Sequence, residues 1–295
     1  MSKRTTGVKA HAPEWWACGA SVQGVNHLRT GSPNEDAAAW RTARDGRWGA
    51  ACVADGHGHA LAVRAAEGAR LAVSVAVQLA SGIGDELSSG DVATSRVEDE
   101  LAELPARLVA AWAQAIERRM EEAPLTKAEL DGLGSERQAL DRHPLVAHGT
   151  TLLLAIAGGG LTLVSQIGDG EVLSVDEAGT VARPVPGDSR LVGSNTTSLA
   201  SPSAVGEFRS ALLGADGNSP ALIVLATDGY VNSFAVEAGF LAVGRDLLLL
   251  LREAGPESVA RSLPEWLETT SRDGSGDDAS MALLVDRRRS AVQGR

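Results

Sequence analysis

The chain has 295 residues, of which 44% are apolar, and it carries a formal net charge of -11. This length and apolar content allow one large domain with a sizeable core. The excess of carboxylates argues against a surface that binds nucleic acid or an anionic membrane. The first residues lack the apolar segment of a secretory signal, and the leucine run over 247–251 is too short to span a bilayer. We therefore expect a cytoplasmic protein whose two cysteines, Cys18 and Cys52, stay reduced.

The N-terminal half of the chain predicts short strands followed by long helices. Apolar runs indicate the strands, and polar side chains at steps of three or four indicate the helices. In chain order we predict a disordered tail over 1–14, a strand over 15–22, a loop over 26–36, a strand over 47–54, a helix from beyond His59 to about Ser81, a helix over 94–120 that Pro105 interrupts, and a mobile insertion over 121–147.

The C-terminal half predicts more strands. In chain order we predict a meander of strands over 149–157, 161–167 and 171–175, a surface loop over 184–205, a strand over 221–226, helices over 243–254 and 256–270, and a last strand over 281–285. Strands near both ends of the chain that enclose helices favour one α+β domain over two domains.

Five acidic motifs stand at the edges of these apolar runs. In three of them glycine directly follows an aspartate, which lets the backbone turn and approach a ligand closely. Carboxylates in such places are typical ligands of hard cations, although Asp-Gly is also a common hairpin turn. Few cationic side chains stand next to them, so five unrelated turns are the weaker interpretation. The motifs are Asn34-Glu35-Asp36, Asp55-Gly56-His57-Gly58, Gly168-Asp169-Gly170, Thr227-Asp228-Gly229 and Gly276-Asp277-Asp278.

The order of these motifs resembles that of the metal-dependent protein phosphatases of type 2C, the PPM family, and in particular its bacterial branch. Gly149-Thr150-Thr151 and the Ser280 that follows the last motif belong to the same pattern. The resemblance spans residues 15 to about 286. It implies a four-layer αββα sandwich of two mainly antiparallel sheets flanked by helices. The phosphatase domain would cover 15–288, between the tails 1–14 and 289–295.

The resemblance also implies a centre of two divalent ions, with a third, weaker metal. Oxygen ligands without a His or Cys cluster predict Mg²⁺ or Mn²⁺ rather than zinc. The spacing to Ser280 selects Asp277 as a ligand, with Asp278 as the alternative. The implied ligands are Asp55 as the bridge between both ions, the Gly56 carbonyl and Glu35 at one ion, Asp228 and Asp277 at the other, and Asp169 at the third metal.

Two further residues have implied roles in catalysis. Two ions about 3.5–4 Å apart activate water and neutralise phosphate charge. His57 would then protonate the leaving serine or threonine oxygen as general acid, the alternative being a histidine that merely lies in a glycine-rich turn. Asp36 would orient a water at the metal, the alternative being a hydrogen bond like that of an N-cap.

The chain departs from the family pattern at two places. The arginine that normally binds phosphate lies four residues before the Glu-Asp pair, where this chain has Gly31. Arg29 or His27 would substitute as the substrate-binding residue, although Arg29 equally fits a solvated loop. Glu171 follows Gly170 where many relatives have arginine. Neither change removes an implied metal ligand.

We therefore expect an enzyme, a metal-dependent serine/threonine protein phosphatase of bacterial signalling. Its partners would be phosphorylated proteins, namely a serine/threonine kinase or its targets. We expect it to bind neither nucleic acid nor a membrane. One alternative is a pseudophosphatase that binds a phosphoprotein or kinase as a regulator. The missing arginine favours it, and the complete set of acidic ligands opposes it. A hydrolase of small phosphoesters would use the same centre with a different rim.

Overall fold

Two five-stranded antiparallel sheets form the centre of the protein. The computed structural model describes residues 14–90, 92–191 and 196–291. The tail predicted over 1–14 lies outside the described residues except for Glu14, as do residues 292–295 of the predicted C-terminal tail. The strands are β1 Trp15–Val22, β2 Asp36–Thr42, β3 Trp48–Asp55, β4 Leu152–Gly158, β5 Leu161–Ile167, β6 Glu171–Val175, β7 Val181–Ala182, β8 Arg209–Leu213, β9 Leu222–Ala226 and β10 Ala279–Asp286.

The strand order is β1-β10-β9-β6-β7 in one sheet and β2-β3-β4-β5-β8 in the other. The helices lie outside the sheets or join their strands. They are α1 Val25–Thr30, α2 Ala65–Leu87, α3 Thr94–Glu122, α4 Lys127–Asp131, α5 Arg137–Arg142, α6 Ala204–Glu207, α7 Asp228–Val231, α8 Glu237–Ala254, α9 Pro256–Asp273 and α10 Arg287–Ser290, with short 3₁₀ helices at Gly134–Glu136 and Pro144–His148.

The buried apolar residues form three layers that follow this arrangement. One layer fills the space between the two sheets and includes Val53, Leu153 and Leu284. A second packs α2 and α3 against the sheet of β3 and β4, and a third packs α8 and α9 against the sheet of β9 and β10. Every residue of β4 and β10 is buried, as expected for strands that are covered on both faces. The predicted four-layer sandwich of two antiparallel sheets flanked by helices is thus confirmed.

Several local predictions were wrong where long-range packing outweighs the local pattern. The loop predicted over 26–36 contains α1. The strand β2 follows it unpredicted because its three consecutive alanines give no alternation of apolar and polar residues. The helix α3 continues through Pro105 because an apolar face that includes Leu108 and Trp112 is buried in the first helix layer.

The predicted meander is also divided between the sheets. The strands β4 and β5 pair with each other, but β6 pairs with β9 in the opposite sheet. The Gly168-Asp169-Gly170 turn therefore carries the chain from one sheet to the other at the edge of the sandwich. Gly168 has φ of +106°, a left-handed conformation that favours glycine.

The segment predicted as a mobile insertion is instead folded and anchored. Its side chains Leu133, Leu140 and Ala147 form a small buried cluster. The guanidinium of Arg64, at the start of α2, donates to Glu129 Oε1 at 2.7 Å, to the Ala123 carbonyl at 2.6 Å and to the Pro124 carbonyl at 2.9 Å. Within the described part of the chain, no helix combines the length and the apolar character that crossing a membrane requires.

Candidate metal centre

Residues of all five acidic motifs converge at one edge of the sandwich around a pocket of about 430 Å³, which we call the metal pocket. Each motif arrives from a different element: the turn before β2, the end of β3, the β5–β6 turn, the start of α7 and the turn before β10. The pocket is lined by His27, Glu35, Asp55, Gly56, His57, Gly58, His59, Asp169, Thr196, Asp228, Asp277 and Asp278.

Three aspartates in this pocket, Asp55, Asp169 and Asp228, form the first acidic cluster. One carboxylate oxygen of each lies within 4.8 Å of the corresponding oxygens of the other two. The side chains that donate hydrogen bonds to them are uncharged: Thr196 Oγ1 donates to Asp169 at 2.8 Å, and Asn232 Nδ2 donates to Asp228 at 3.0 Å. Among the described residues, no lysine or arginine forms an ion pair with any of the three.

The raised carboxyl pKa values of this cluster show that its negative charges are not neutralised within the described residues. Burial raises the pKa of Asp55 well above its usual range, and the charges of Asp36 and Asp228 add to the rise. Burial also raises the pKa of Asp228, although its hydrogen bond with Asp55 acts in the opposite direction. Like charges held together without a cation are stabilised by a bound cation. Since every donor is an oxygen, the site fits Mg²⁺ or Mn²⁺.

The backbone beside Asp55 is shaped by close contacts. A Cβ on Gly56 would lie 2.7 Å from the Glu35 carbonyl oxygen and 2.8 Å from the carbonyl carbon of Ala65. The Gly56 N–H donates to that Glu35 carbonyl at 3.0 Å. Glycine at this position thus allows the turn that carries Glu35 to approach Asp55. The sequence indicated this function of glycine, but not its partners.

Asp36 lies behind the cluster rather than in the metal pocket. It is 6% exposed, it is aligned with Asp55 across β2 and β3, and it accepts a hydrogen bond of 2.6 Å from Thr227 Oγ1. Burial raises the pKa of Asp36 to about 8 against that hydrogen bond, and the charge of Asp278 adds to the rise. Asp36 therefore links the end of β3 to the turn that carries Asp228.

A second acidic cluster, consisting of His27, Asp277 and Asp278, also lines the metal pocket. Asp278 is 4% exposed, and both of its carboxylate oxygens accept hydrogen bonds. Asp277 is exposed and faces the pocket. The donors to Asp278 are the Gly24 N–H at 2.7 Å, the Glu35 N–H at 2.6 Å and His27 Nδ1 at 2.7 Å.

The two candidates for the missing arginine occupy different positions. His27 lines the metal pocket, whereas Arg29 is exposed on α1 and does not line it. Gly31 ends α1 with φ of +73°, and a Cβ there would contact nothing within 4 Å. Burial lowers the pKa of His27, but the hydrogen bond to Asp278 and the nearby carboxylates outweigh it, so the pKa is raised. Burial raises the pKa of Glu35, which lies beside this cluster.

His57 lies where the metal pocket opens toward the folded insertion. Its ring stacks on His59 with centroids 5.8 Å apart, and its Nε2 is buried without a hydrogen-bond partner. Burial lowers the pKa of His57 to about 4, and the charge of His59 adds to this effect. The imidazole of the substrate-free protein is therefore neutral near pH 7.

Sequence reasoning missed the residues that hold this edge together. The Thr151 hydroxyl accepts from the Asp55 N–H at 2.9 Å, and the Thr150 hydroxyl donates to the Asp55 carbonyl at 2.8 Å. Arg209 on β8 donates to the Gly168 carbonyl at 2.6 Å, next to Asp169. Gly149-Thr150-Thr151 was visible as part of the family pattern, but nothing near Arg209 in the sequence indicates its contact.

Comparison with known proteins identifies the family and agrees with the fold of the chain. The family model for protein phosphatase 2C matches residues 23–268. The catalytic domain of the serine threonine protein phosphatase PstP, solved with two manganese ions, has a TM-score of 0.56 at 18% identity, covering 92% of this chain and 97% of that one. The S. agalactiae serine/threonine phosphatase has a TM-score of 0.55 at 14% identity, covering 92% and 99%. Stp1 from Staphylococcus aureus has a TM-score of 0.55 at 11% identity, covering 94% and 95%. No curated protein sequence gives a significant match.

Proposed function

The chain belongs to the protein phosphatase 2C family and is a protein phosphatase, and we propose that it hydrolyses phosphoserine and phosphothreonine at a centre of two ions, Mg²⁺ or Mn²⁺. The first acidic cluster carries this proposal, because three convergent carboxylates without a cationic partner have no evident use in a metal-free fold. The structure of PstP, which resembles this chain, contains two manganese ions.

We assign the ligands by their position in the metal pocket. Asp55, at the end of β3, would bridge the ions, and the Gly56 carbonyl and Glu35 would complete the site on one side. Asp228 and Asp277 would hold the other ion, and Asp169 would hold a third. The exposed position of Asp277 supports it as the ligand, because Asp278 already accepts hydrogen bonds from Gly24, Glu35 and His27.

When bound, such ions neutralise phosphate charge and lower the pKa of a water that attacks phosphorus. The residues of this chain would perform the remaining steps. His57 would act as general acid in its protonated form, which the negative charge of the bound phosphate would favour, and would give that proton to the leaving oxygen. Asp36 would act from behind, through Thr227, by fixing the turn that carries Asp228.

We infer that His27 takes part of the role of the missing arginine. It faces the metal pocket with its Nδ1 bound to Asp278, and its raised pKa favours the form that donates from both ring nitrogens. Arg29 is the weaker candidate because it lies outside the pocket lining. The physiological substrate would be a phosphorylated cytoplasmic protein, either a kinase or its target.

The proposal is tested with p-nitrophenyl phosphate. With Mn²⁺ the wild-type protein should hydrolyse it, and excess chelator or Asp55→Asn should remove the activity. Asp45→Asn, the same substitution at an exposed residue outside the metal pocket, serves as the control. Absence of turnover with Mn²⁺ bound would contradict the proposal. If phosphopeptides still bound, the pseudophosphatase alternative would be supported.

A further inference from the structure

A second pocket of about 520 Å³ adjoins the metal pocket on the other side of His57, and we call it the histidine pocket. His57, His59 and Thr196 line both pockets, so the two are continuous. The additional walls come from the folded insertion, through His143 and Val146, and from the loop 198–202.

The chemistry of the two pockets is opposite. Six carboxylate side chains line the metal pocket. No aspartate, glutamate, lysine or arginine is among the described residues that line the histidine pocket, and its surface is mainly apolar. Val146, Ala200 and Pro202 contribute apolar surface, and the polar side chains there carry hydroxyl or imidazole groups. A permanent charge placed in this pocket would find no partner of opposite charge.

Both walls of the histidine pocket are fixed to the same corner of the fold. The Leu199 N–H donates to the Thr150 carbonyl at 2.9 Å, and the His57 N–H donates to the Gly149 carbonyl at 3.0 Å. The Arg64 N–H donates to the Ala147 carbonyl at 2.8 Å and thereby holds the insertion. The pocket is thus preformed, and its volume falls in the range of sites that accept a ligand group.

The position of His57 determines what would enter this pocket. If the phosphate is held in the metal pocket, the alcohol side of the phosphoester, which is the protein substrate itself, must leave that pocket along its rim, and His57 and Thr196 line both pockets there. The substrate chain then continues past His57 into the adjoining space. We propose that the histidine pocket binds an uncharged, apolar side chain next to the phosphorylated serine or threonine. This inference rests on the proposed phosphatase function and names a class of substrate for it.

The test measures binding separately from turnover. Three labelled peptides carry a non-hydrolysable phosphonate analogue of phosphoserine, flanked by leucine, aspartate or lysine. Fluorescence anisotropy with Mn²⁺ gives their Kd values. We expect the leucine peptide to bind about tenfold more tightly than the aspartate peptide. Equal Kd values for the three peptides would overturn the proposal.

A charge placed on the pocket wall should change this preference. His143→Glu adds a carboxylate at an exposed position of the lining, and Gln138→Glu makes a matched change on α5 outside it. In His143→Glu the lysine peptide should gain affinity and the aspartate peptide should lose it, each by about threefold to tenfold. Gln138→Glu should leave the three Kd values and the hydrolysis of p-nitrophenyl phosphate unchanged. Identical Kd values in the two variants would overturn the proposal.

Absence of p-nitrophenyl phosphate hydrolysis by the wild type would instead contradict the phosphatase function. The Kd values would still show whether the histidine pocket selects an apolar side chain.

Discussion

The two acidic clusters of the metal pocket are neutralised in different ways. In the second cluster, Asp278 is paired with His27 and accepts two backbone N–H groups, so its charge is compensated within the protein. In the first cluster, Asp55, Asp169 and Asp228 approach one another with only uncharged hydrogen-bond donors around them. The charge of Asp278 is thus compensated within the fold, whereas we propose that cations from solution compensate the first cluster.

This difference separates the structural use of carboxylates from their proposed catalytic use. A buried carboxylate that accepts several hydrogen bonds stabilises the fold. The protein loses this stabilisation when the carboxylate is removed. Carboxylates that repel each other destabilise the apo protein, and binding of metal offsets the cost. The effect of a substitution on stability should therefore depend on chelator in the first cluster and be independent of chelator at Asp278.

The largest effect should come from the first cluster. Asp228→Asn removes a proposed metal ligand, so turnover of p-nitrophenyl phosphate with Mn²⁺ should fall on the order of a thousandfold or more. Asp273→Asn changes an exposed aspartate near the same edge and should keep wild-type turnover. Near-normal activity of Asp228→Asn at saturating Mn²⁺ would show that this cluster does not hold the catalytic ions.

The His57 ring lines the metal pocket beside the first cluster. Its effect on turnover should be larger when the leaving group needs protonation. His57→Ala should lower kcat for a phosphoserine peptide by about a hundredfold, the lower range for a general acid, and should affect p-nitrophenyl phosphate much less. The reason is that p-nitrophenolate leaves without protonation. Steady-state kinetics on both substrates measures the ratio, and equal losses would contradict a general-acid role.

We expect His27, a member of the second cluster, to contact the substrate phosphate. If its imidazolium binds a phosphate oxygen, His27→Ala should raise KM about tenfold to a hundredfold, because a charge-assisted hydrogen bond contributes roughly 1.5–3 kcal/mol. Arg29→Ala, on the exposed face of α1, should leave KM unchanged. A larger effect of Arg29→Ala than of His27→Ala would reverse this assignment.

The sequence predicted which acidic motifs would share one site, and the metal pocket contains residues of all five, because each motif is recognisable locally. An aspartate beside glycine at a strand end, as in Asp55-Gly56 or Thr227-Asp228-Gly229, indicates a ligand before any contact is known. The family order of the motifs then predicted the sandwich. The boundaries of β1 and β6 also followed from local apolar runs.

Contacts between distant parts of the chain had no such local signal. His27 and Asp278 are 251 residues apart, and no pattern at either position indicates the other. The insertion over 121–147 appeared unpatterned because it is held by Arg64 and a small apolar cluster rather than by long amphipathic helices. The spacing to Ser280 favoured Asp277 over Asp278, but the sequence does not specify the partners of either residue.

Removal of the Asp278 carboxylate should cost stability whether or not metal is present. Asp278→Ala leaves the Gly24 and Glu35 N–H groups without their acceptor, so the free energy of unfolding should fall by about 1.5–3 kcal/mol. Urea unfolding with Mn²⁺ and with chelator measures both values. A loss seen only with Mn²⁺ would place Asp278 among the metal ligands and contradict its structural role.

Removal of the Asp55 charge should have the opposite effect in the apo protein. Because the pKa of Asp55 is raised on folding, the folded state binds its proton more tightly than the unfolded state. This contribution to stability is complete below the ordinary pKa of about 4 and is lost as the pH rises toward the raised value. With chelator, wild-type stability should therefore fall between pH 5 and pH 8 more steeply than that of Asp55→Asn.

At pH 8 with chelator, Asp55→Asn should melt a few degrees above the wild type, since about 1 kcal/mol corresponds to roughly 2–4 °C in a domain of this size. With Mn²⁺ the order should reverse, because the wild type gains the free energy of metal binding and the variant loses a bridging ligand. Thermal unfolding at pH 5 and pH 8, with chelator and with Mn²⁺, measures the crossing. If Asp55→Asn melted below the wild type under every condition, Asp55 would contribute to the fold as Asp278 does. The first cluster would then be structural, and the difference between the two clusters would disappear.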